Sequence, residues 1–345
     1  MIKLLLITGG CSTEHEVSKM SCTNIRKQID FSKYDVSTLG ITKDGKWHEL
    51  SPNVDDYTNE NWLDNSKEID NTIAYLKQYD VVFPVLHGKN GEDGTIQGLL
   101  ELANVPYVGC KVLASALAMD KVVTKKVLKT ANIKQVPSLY VKQINKEFVV
   151  VNNDCSLDKN VLDRIINDIN LPCFIKASRS GSSFGCFKVD KVGDLFKYLN
   201  EASKYDNKIL IEKAINAKEL ECAVLGNNTD ILCSRVGEIL PHGEFYTYKS
   251  KYEDKQSKTL IPANITEEQE KYIKNIAKKA FIAIDGNGLA RVDFFLDKDT
   301  NDIYLNEINT MPGFTNISMY PELINNLNIS TTELIDRLIS LALEK

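Results

Sequence analysis

Alternation between apolar runs and helical patterns in the first third of the chain is the feature that most constrains its fold. Three runs have the length and apolar content of buried strands: Ile2–Ile7, Asp35–Thr42 and Asp80–Val85. Helical spacing begins near Val17 and occurs again over Thr95–Ala103. Buried strands that alternate with helices form a parallel sheet with helices on both faces. The sequence therefore predicts an α/β fold that begins with a parallel sheet.

The length of the chain predicts more than one domain. A chain of 345 residues exceeds what a single hydrophobic core usually serves. Cys173–Ala177 and Cys186–Val189 predict two antiparallel strands around a Gly/Ser loop, and Glu267–Ala283 predicts a helix with an N-terminal capping box. The polar segment Ser51–Asn71 is predicted to be an excursion on the surface. We divide the chain at the changes of pattern into units 1–109, 110–215 and 216–345.

Charge and cysteine pattern exclude several classes of protein. A formal net charge of −5 argues against a nucleic-acid-binding protein, which needs a basic face. No run reaches the roughly 18 apolar residues of a membrane span, and the first run is too short for a signal peptide. The eight cysteines form no Cys-x-x-Cys pair, which favours reduced thiols in a cytoplasmic protein. One Lys-rich run predicts a solvated helix face that carries Lys121, Lys125, Lys126 and Lys129. Lys121 is considered separately below, because it belongs to a motif.

Two segments resemble catalytic motifs without meeting their structural requirements. Gly40–Trp47 nearly fits a P-loop, but Trp47 replaces the hydroxyl residue that a P-loop uses for Mg²⁺, so a hairpin turn is predicted. Gly181–Gly185 fits G-x-S-x-G with Ser183 as the nucleophile of a serine hydrolase. That motif needs a following helix and a later histidine, whereas a strand is predicted here and His242 is the only later histidine. A hydrolase is kept as a distant alternative.

The same Gly/Ser segment fits a phosphate-binding loop better. Lys176 lies at the end of a predicted strand, and the small residues that follow, up to Gly185, allow backbone N–H groups to face phosphates. A lysine ammonium is a compact charge suited to phosphate oxygens. The segment therefore predicts a loop that closes over a nucleotide.

A pair of short motifs near the C-terminal end predicts a magnesium site. Arg291 and Asp293 share one face of a predicted strand, and Glu307 and Asn309 share one face of another. If these strands are neighbours, two carboxylates and one amide gather beside one guanidinium. Oxygen ligands of this kind hold Mg²⁺ when substrate phosphates complete its shell. A purely structural salt bridge between Arg291 and a carboxylate is the alternative.

With these motifs in this order, the chain resembles the D-alanine–D-alanine ligase family of the ATP-grasp superfamily. The landmarks of the resemblance extend over nearly the whole chain: Gly9–Ser18, Leu86–Gly94, Met119–Lys121, Lys176–Gly185, Glu212-Lys213, Lys251-Tyr252, Arg291–Asp293 and Glu307–Gly313. The resemblance implies a three-domain ATP-grasp fold. The implied domains are an N-terminal parallel-sheet domain that binds substrate (1–109), a central subdomain with the phosphate loop (110–215) and a C-terminal subdomain with the metal and catalytic residues (216–345).

The resemblance also implies an activity. The family forms a dipeptide of D-alanine through a D-alanyl phosphate, with ATP as the phosphoryl donor, for peptidoglycan precursor synthesis. Phosphoryl transfer and the attack of the amine both concentrate negative charge, so positioning and neutralisation by cations are expected to dominate catalysis. The implied partners are ATP, D-alanine and two Mg²⁺ ions, for which Mn²⁺ can substitute. A cytoplasmic homodimer that binds neither nucleic acid nor membrane is expected.

Individual residues receive roles from the resemblance. The residues that it places around ATP are Lys121, Lys176, Ser183, Glu212, Lys213, Ile215 and Glu219. The residues that it implies in catalysis and closure of the site are Glu14, Ser182, Lys251, Tyr252 and Arg291. The residues that it implies in binding the amino acids are Glu14, His87, Arg291, Gly313, Ser318 and Met319. The implied metal ligands are Asp293, Glu307 and Asn309.

Two candidates are left for the second substrate. The loop around Phe184 resembles the vancomycin-resistance branch of the family, whose members use D-lactate or D-serine in that position. Tyr252 stands where the D-lactate ligases carry histidine, and Met319 stands where the D-serine ligases carry arginine. D-Alanine is therefore the expected second substrate, with D-serine as the alternative.

Overall fold

The computed structural model describes residues 1–228, 230–240 and 258–344. Within these ranges the strands form three sheets that follow one another along the chain. The first and third sheets have five strands each and the second has six. The functional side chains predicted above lie mainly where these sheets approach one another.

The first sheet has a parallel centre, as the alternation of strands and helices predicts. Its strands are β1 (Ile2–Gly9), β2 (Tyr34–Ile41), β3 (Trp47–Glu49), β4 (Lys67–Glu68) and β5 (Val81–Pro84). The helices of this unit are α1 (His15–Gln28), α2 (Thr72–Leu76) and α3 (Thr95–Ala103). The order β4-β3-β2-β1-β5 places β1 between two parallel neighbours, β2 and β5. The P-loop-like run connects β2 to the antiparallel β3, which confirms the predicted hairpin turn.

The segment Ser51–Asn71 contributes to the hydrophobic core, and the prediction of a surface excursion is wrong for two of its residues. Tyr57 is fully buried and Trp62 is 7% exposed, and both pack in the core of the first sheet. The Tyr57 hydroxyl forms a hydrogen bond of 2.7 Å with Thr38 on β2. Single aromatic residues in a polar segment have no periodicity, so the sequence pattern does not indicate their burial.

Two helices, α4 (Val112–Met119) and α5 (Lys121–Thr130), follow the first unit. Asp120 lies between them and caps α5, because its side chain accepts a hydrogen bond of 3.2 Å from Val123 N. The apolar faces of both helices pack in the core of the third sheet, although they precede the second sheet in the chain. This packing places the start of α5 beside the strands that carry the predicted metal ligands.

The second sheet is antiparallel and contains the predicted phosphate loop. Its strands are β6 (Ser138–Ile144), β7 (Glu147–Val151), β8 (Leu157–Asp158), β9 (Cys173–Ala177), β10 (Cys186–Val189) and β11 (Lys208–Lys213), in the order β10-β9-β11-β6-β7-β8. The loop joins the antiparallel pair β9 and β10, as predicted. The helical segments of this unit are α6 (Val161–Arg164) with a π-helical turn (Ile165–Ile169), and a 3₁₀ turn (Val192–Asp194) with α7 (Leu195–Ser203).

The third sheet is antiparallel and has the order β14-β13-β12-β15-β16. Its strands are β12 (Ala217–Asn227), β13 (Asp230–Leu240), β14 (Lys258–Leu260), β15 (Gly288–Asp297) and β16 (Ile303–Asn309). Helix α8 (Glu267–Ala283) covers one face and begins with the predicted capping box between Thr266 and Gln269. The predicted bounds of this helix are confirmed because the cap defines its start.

The last two helices, α9 (Met319–Asn325) and α10 (Thr331–Leu343), connect the first and third sheets. Their apolar residues belong to one hydrophobic core with residues of β1, β5, β12 and β15. This shared core holds the first unit against the third, so that the loops after β1 and β5 face the end of β16. Among the described residues, no helix combines the length and the apolar character needed to cross a membrane.

Candidate active site

Two adjoining cavities lie between the sheets. The large cavity, of about 990 Å³, is lined by the second sheet, the third sheet and the loop between β9 and β10. The small cavity, of about 100 Å³, is lined by the first unit, the same loop and the third unit. Four side chains line both cavities, so the cavities meet at them: Lys121, Ser182, Ile239 and Glu307. The large cavity is at the upper end of the range of about 300–1,000 Å³ that is usual for ligand pockets.

Glu212, near the end of β11, lies between two lysines. Lys176 Nζ is 2.5 Å from Glu212 Oε2, and Lys125 Nζ is 2.6 Å from Glu212 Oε1. Burial by itself raises the pKa of this carboxyl group, but the two ammonium groups outweigh burial and lower the pKa to about 2. The side chain of Lys125 is only 11% exposed, so the prediction that it lies on a solvated helix face is wrong.

Lys121 extends from the start of α5 towards the phosphate loop. Its Nζ donates a hydrogen bond of 2.9 Å to Ser180 O and lies 3.4 Å from Glu307 Oε2. The helix is tied to the base of the loop, because Lys121 N and Val122 N donate to Ser178 O and Ser178 Oγ, both at 3.1 Å. The ammonium group of Lys121 is therefore held where the loop, α5 and β16 meet.

The loop between β9 and β10 carries two serines in the left-handed region of backbone conformation. Ser182 and Ser183 have φ angles of 48° and 62°, and both line the large cavity. A nucleophile elbow joins a strand to a helix, whereas this loop joins two antiparallel strands. His242, the base that the hydrolase alternative requires, lies outside the described residues. The geometry of the loop therefore does not support a serine hydrolase.

Strands β15 and β16 bring the predicted metal ligands together. Asp293 lies opposite Glu307 and Arg291 lies opposite Asn309 in an antiparallel pair, so the two strands are neighbours, as the predicted site requires. Asn309 Nδ2 donates a hydrogen bond of 2.9 Å to Asp293 Oδ2. In residues 1–228, 230–240 and 258–344, no three His, Cys, Asp or Glu side chains form a group suited to a metal ion. Two carboxylates and one amide nevertheless fit Mg²⁺, which uses few protein ligands when phosphates supply the others.

Arg291 lines the small cavity and is held by two carboxylates. Its Nε and Nη2 donate hydrogen bonds of 2.8 Å and 2.7 Å to Asp293, and its Nε lies 3.1 Å from Glu221 Oε2. Burial lowers the pKa of Arg291, but the charges of Asp293 and Glu221 outweigh burial and raise the pKa well above its ordinary value. The salt bridge considered as the alternative to a metal site is therefore present, and it shares Asp293 with the candidate metal ligands.

Glu14 lies in the small cavity at the start of α1. It is 7% exposed and accepts a hydrogen bond from Ser182 Oγ. Two glycines leave room for its carboxylate, because a Cβ would lie 2.5 Å from Glu14 Oε2 at Gly88 and 3.0 Å from it at Gly181. Two members of the set predicted to close the site are therefore in contact. Tyr252 and Lys251, which the resemblance also implies in catalysis and closure of the site, lie outside the described residues.

His87 is buried in the small cavity and bonds to the third unit. Its Nε2 lies 3.0 Å from Ser21 Oγ, and its Nδ1 lies 3.0 Å from Met311 O and 3.6 Å from Glu92 Oε1. Burial lowers the pKa of His87, but the hydrogen bond and charge of Glu92 outweigh burial, so the pKa is raised. This arrangement holds the imidazole in a fixed orientation in the wall of the cavity.

Three of the residues predicted to bind the amino acids line the part of the small cavity that the third unit contributes. They are Gly313, Ser318 and Met319. Ser318 Oγ accepts a hydrogen bond of 2.9 Å from Thr315 N, and a Cβ at Gly313 would lie 2.8 Å from the same oxygen. Met319 is 4% exposed. A buried thioether and a hydroxyl already engaged with the backbone offer little polar contact to a substrate side chain.

Every residue predicted around ATP lines the large cavity: Lys121, Lys176, Ser183, Glu212, Lys213, Ile215 and Glu219. The charged residues that sequence reasoning missed include Lys125, Glu92 and Glu221. Glu221 carries a signal, since it is an acidic residue in the apolar run of β12 and is 6% exposed. No sequence signal distinguishes Lys125, because the neighbouring lysines on α5, Lys126 and Lys129, are exposed to solvent.

Comparisons with known proteins agree with this geometry. Two family models match the chain, the D-ala D-ala ligase N-terminus over residues 3–110 and the D-ala D-ala ligase C-terminus over residues 136–340. The D-alanine–D-alanine ligase of Acetivibrio thermocellus is 47% identical and aligns with 99% of this chain and 96% of its own length. The corresponding ligase of Clostridium acetobutylicum is also 47% identical, over 99% of this chain and 97% of its own length.

Solved structures extend the match to three dimensions. The VanG D-Ala:D-Ser ligase from Enterococcus faecalis matches with a TM-score of 0.86 and 36% identity, and the match covers 99% of each chain. The D-alanine-D-alanine ligase from Coxiella burnetii has a TM-score of 0.86 and 34% identity, over 99% of this chain and 94% of its own. These matches confirm the predicted α/β fold of the ATP-grasp type.

Proposed function

Because the chain belongs to the D-alanine–D-alanine ligase family, we propose that it joins two molecules of D-alanine while converting ATP to ADP and phosphate. The observation that carries this proposal is the meeting of the two cavities at Lys121, Ser182 and Glu307. A nucleotide in the large cavity would there present its terminal phosphate to an amino acid in the small cavity.

The first step transfers the γ-phosphoryl group to the carboxylate of the first D-alanine. A carboxylate is a poor acyl donor because its leaving group would be an oxide, and the acyl-phosphate offers phosphate as the leaving group instead. Lys121 and Lys176 neutralise the phosphate oxygens, and Glu14 binds the ammonium group of the amino acid. Mg²⁺ ions held by the third-sheet ligands Asp293, Glu307 and Asn309 would supply further neutralisation of the phosphates.

In the second step the amino group of the second D-alanine attacks the acyl-phosphate. A C–N bond forms, the C–O bond to phosphate breaks, and the carbonyl oxygen carries negative charge in the tetrahedral intermediate. Arg291, which lines the small cavity, stabilises this charge together with the backbone N–H of Gly313. The hydrogen bond between Ser182 and Glu14 closes the loop against the first unit and excludes water from the acyl-phosphate.

The remaining expectations belong to the same proposal. The dipeptide serves peptidoglycan precursor synthesis, and the enzyme acts in the cytoplasm as a homodimer that uses ATP, D-alanine and Mg²⁺ or Mn²⁺. A formal net charge of −5 supports the expectation that nucleic acid is not a partner. Lys251 and Tyr252, which the resemblance places at the γ-phosphate and in closure of the site, keep these roles as predictions.

Product analysis tests the proposal directly. Phosphate release from ATP is measured with D-alanine alone, with D-alanine plus D-serine, and with D-alanine plus D-lactate, and the products are quantified by mass. D-Alanine alone should support phosphate release, and D-alanyl-D-alanine should be the main product in every mixture. Absence of phosphate release that depends on D-alanine would overturn the proposal.

D-Serine is the alternative to D-alanine as the second substrate, because the structure of a D-Ala:D-Ser ligase matches 99% of this chain. Against it, the D-serine hydroxyl beside the buried Met319 would lack a strong partner, at a cost of about 1–3 kcal/mol. This cost corresponds to roughly 5- to 150-fold in relative kcat/KM. Met319→Arg supplies donors and should shift the products towards D-alanyl-D-serine when both acceptors compete. Predominance of the mixed dipeptide in the wild type would show that Met319 does not select the side chain.

A further inference from the structure

Glu212 has two lysine partners, and they differ in position relative to the large cavity. Lys176 and Glu212 both line the cavity, whereas Lys125 is absent from the described side chains that line it. The two ion pairs have similar lengths, 2.5 Å to Lys176 and 2.6 Å to Lys125. Lys125 approaches Glu212 from the side of α5, where its ammonium also lies 3.5 Å from Val136 O. A ligand in the cavity can therefore reach Lys176 but not Lys125.

We infer that Lys125 is the permanent counter-ion of Glu212, and that it keeps this carboxylate an acceptor for the 6-amino group of adenine after Lys176 has turned to the phosphates. Lys125 is thus a positioning residue that determines nucleotide specificity through Glu212. The inference rests on the proposed function in one respect, since it takes a nucleoside triphosphate as the ligand of the large cavity.

The behaviour of Lys176 follows from its place in the fold. It lies at the end of β9, next to the loop whose serines line the cavity. A lysine ammonium on a flexible stem moves easily between a carboxylate and a phosphate. Once it has moved, Glu212, which is 3% exposed, would be left as a buried charge with one fewer cation. A buried carboxylate without a counter-ion takes up a proton, and Lys125 prevents this.

The charge of Glu212 matters because it decides which base fits. An ionised carboxylate only accepts hydrogen bonds, whereas a protonated one also donates. Adenine presents an amino group at position 6, and hypoxanthine and guanine present a carbonyl oxygen there. Apolar residues in the cavity wall, including Ile215 and Phe295, suit a flat base, so the polar discrimination lies with Glu212 and the nearby backbone. An anionic Glu212 therefore selects a 6-amino purine.

Nucleotide binding without D-alanine tests the inference. Dissociation constants for ATP and ITP, which differ at position 6, are measured by calorimetry for the wild type and three variants. Lys125→Met should weaken ATP binding about tenfold or more without weakening ITP binding. Lys125→Arg should restore the preference for ATP because it restores the cation. Lys129→Met, a change of an exposed lysine one turn along the same helix, should leave both constants unchanged.

A second background separates this role from general damage. In Glu212→Gln the carboxylate is absent, so adding Lys125→Met should leave the ratio of ATP to ITP affinity unchanged. The double variant also removes both buried charges, so it gives the same comparison if Lys125→Met alone does not fold. Equal loss of ATP and ITP affinity in Lys125→Met, or a further change of the ratio in the Glu212→Gln background, would overturn the inference. Failure of the proposed function would appear instead as absent phosphate release with the adenine preference intact.

Discussion

The two cavities hold their cations in different ways. In the large cavity, Lys176 pairs with Glu212 at 2.5 Å, and at its border Lys121 lies 3.4 Å from Glu307. In the small cavity, Arg291 donates two hydrogen bonds to the same carboxylate, Asp293. A lysine is a point charge on a flexible stem, whereas a guanidinium with two parallel hydrogen bonds has a fixed orientation. The lysines of the large cavity can therefore change partners when a ligand binds. The guanidinium of the small cavity is already oriented before a ligand binds.

This difference predicts a division of roles between the two cavities. Changes to the small cavity should lower the rate of ligation and leave nucleotide affinity intact. Changes to the lysine–glutamate cluster of the large cavity should alter nucleotide affinity first. A catalytic group must be positioned before charge develops in the transition state, whereas a phosphate-binding group gains from mobility during entry and release.

The largest effect is expected from Arg291→Met. Loss of the guanidinium from the small cavity should lower the rate of ligation about 1,000-fold, because it removes a preorganised donor to the developing oxyanion. The affinity for ATP, measured by calorimetry, should stay close to that of the wild type. Arg235→Met is the matched control, since Arg235 also lies on the third sheet but pairs with Glu270 and is 43% exposed. A fall in ATP affinity as large as the fall in rate would break the division of roles.

Asp293→Ala should have the next largest effect, because Asp293 is both a candidate metal ligand and the partner of Arg291. It lies opposite Glu307 in the candidate metal set and orients Arg291. We expect ligation to fall at least about 100-fold in a protein that remains folded. Calorimetry of Mg²⁺ in the presence of ADP should show weaker metal binding, which Arg291→Met should not show. Asp302→Asn, at an aspartate whose side chain is 40% exposed and pairs with Lys134, is the control, and activity of Asp293→Ala near the wild-type value would contradict the assignment.

Parts of this structure are predictable from the sequence, for reasons visible in particular residues. Strands β9 and β10 and helix α8 have their predicted bounds, because glycine, proline and capping residues mark their ends. The pairing of Asp293 with Glu307 is known only from the fold, but the two-residue period of a strand predicts that Arg291 and Asp293 share one face. Local patterns of this kind can be seen before the chain is folded.

Other parts depend on contacts that no local pattern indicates. Lys125 looks like its solvated neighbours, and only the approach of β11 to α5 gives it Glu212 as a partner. Trp62 is buried because a polar segment folds over the first sheet. In the same way, nothing in the sequence indicates that Glu92 lies beside His87, although both belong to one landmark segment. Tertiary contacts between distant elements decide all three cases.

Ser182→Ala tests whether closure of the loop belongs with the small cavity. The variant loses the hydrogen bond to Glu14, so the loop should close less tightly and water should reach the acyl-phosphate. We expect about a tenfold rise in phosphate released per dipeptide formed, with little change in ATP affinity. Ser203→Ala, at a half-buried serine at the end of α7, is the control. An unchanged ratio of phosphate to dipeptide would remove Ser182 from the closing set.

The smallest effect is expected from Glu92→Gln, and it appears as a pH dependence of stability. Burial alone lowers the pKa of His87, but Glu92 and, more weakly, Glu14 outweigh it and raise the pKa above its ordinary value of 6.5. A raised histidine pKa stabilises the fold fully below the unfolded value, and this contribution is lost as pH rises through the folded pKa. The pKa of Glu92 is itself raised, chiefly by burial, so its contribution also falls with rising pH.

The contributions of His87 and Glu92 to the free energy of unfolding therefore both decrease as pH rises. The difference in free energy of unfolding between wild type and Glu92→Gln should favour the wild type most at about pH 5.5 and should decline by about pH 8.5. Urea unfolding at several pH values measures this difference, and Glu60→Gln, at an exposed glutamate, provides the control. A difference that is independent of pH would mean that His87 is held by Ser21 and Met311 alone. The small cavity would then owe its fixed geometry to hydrogen bonds from neutral groups rather than to the charge of Glu92.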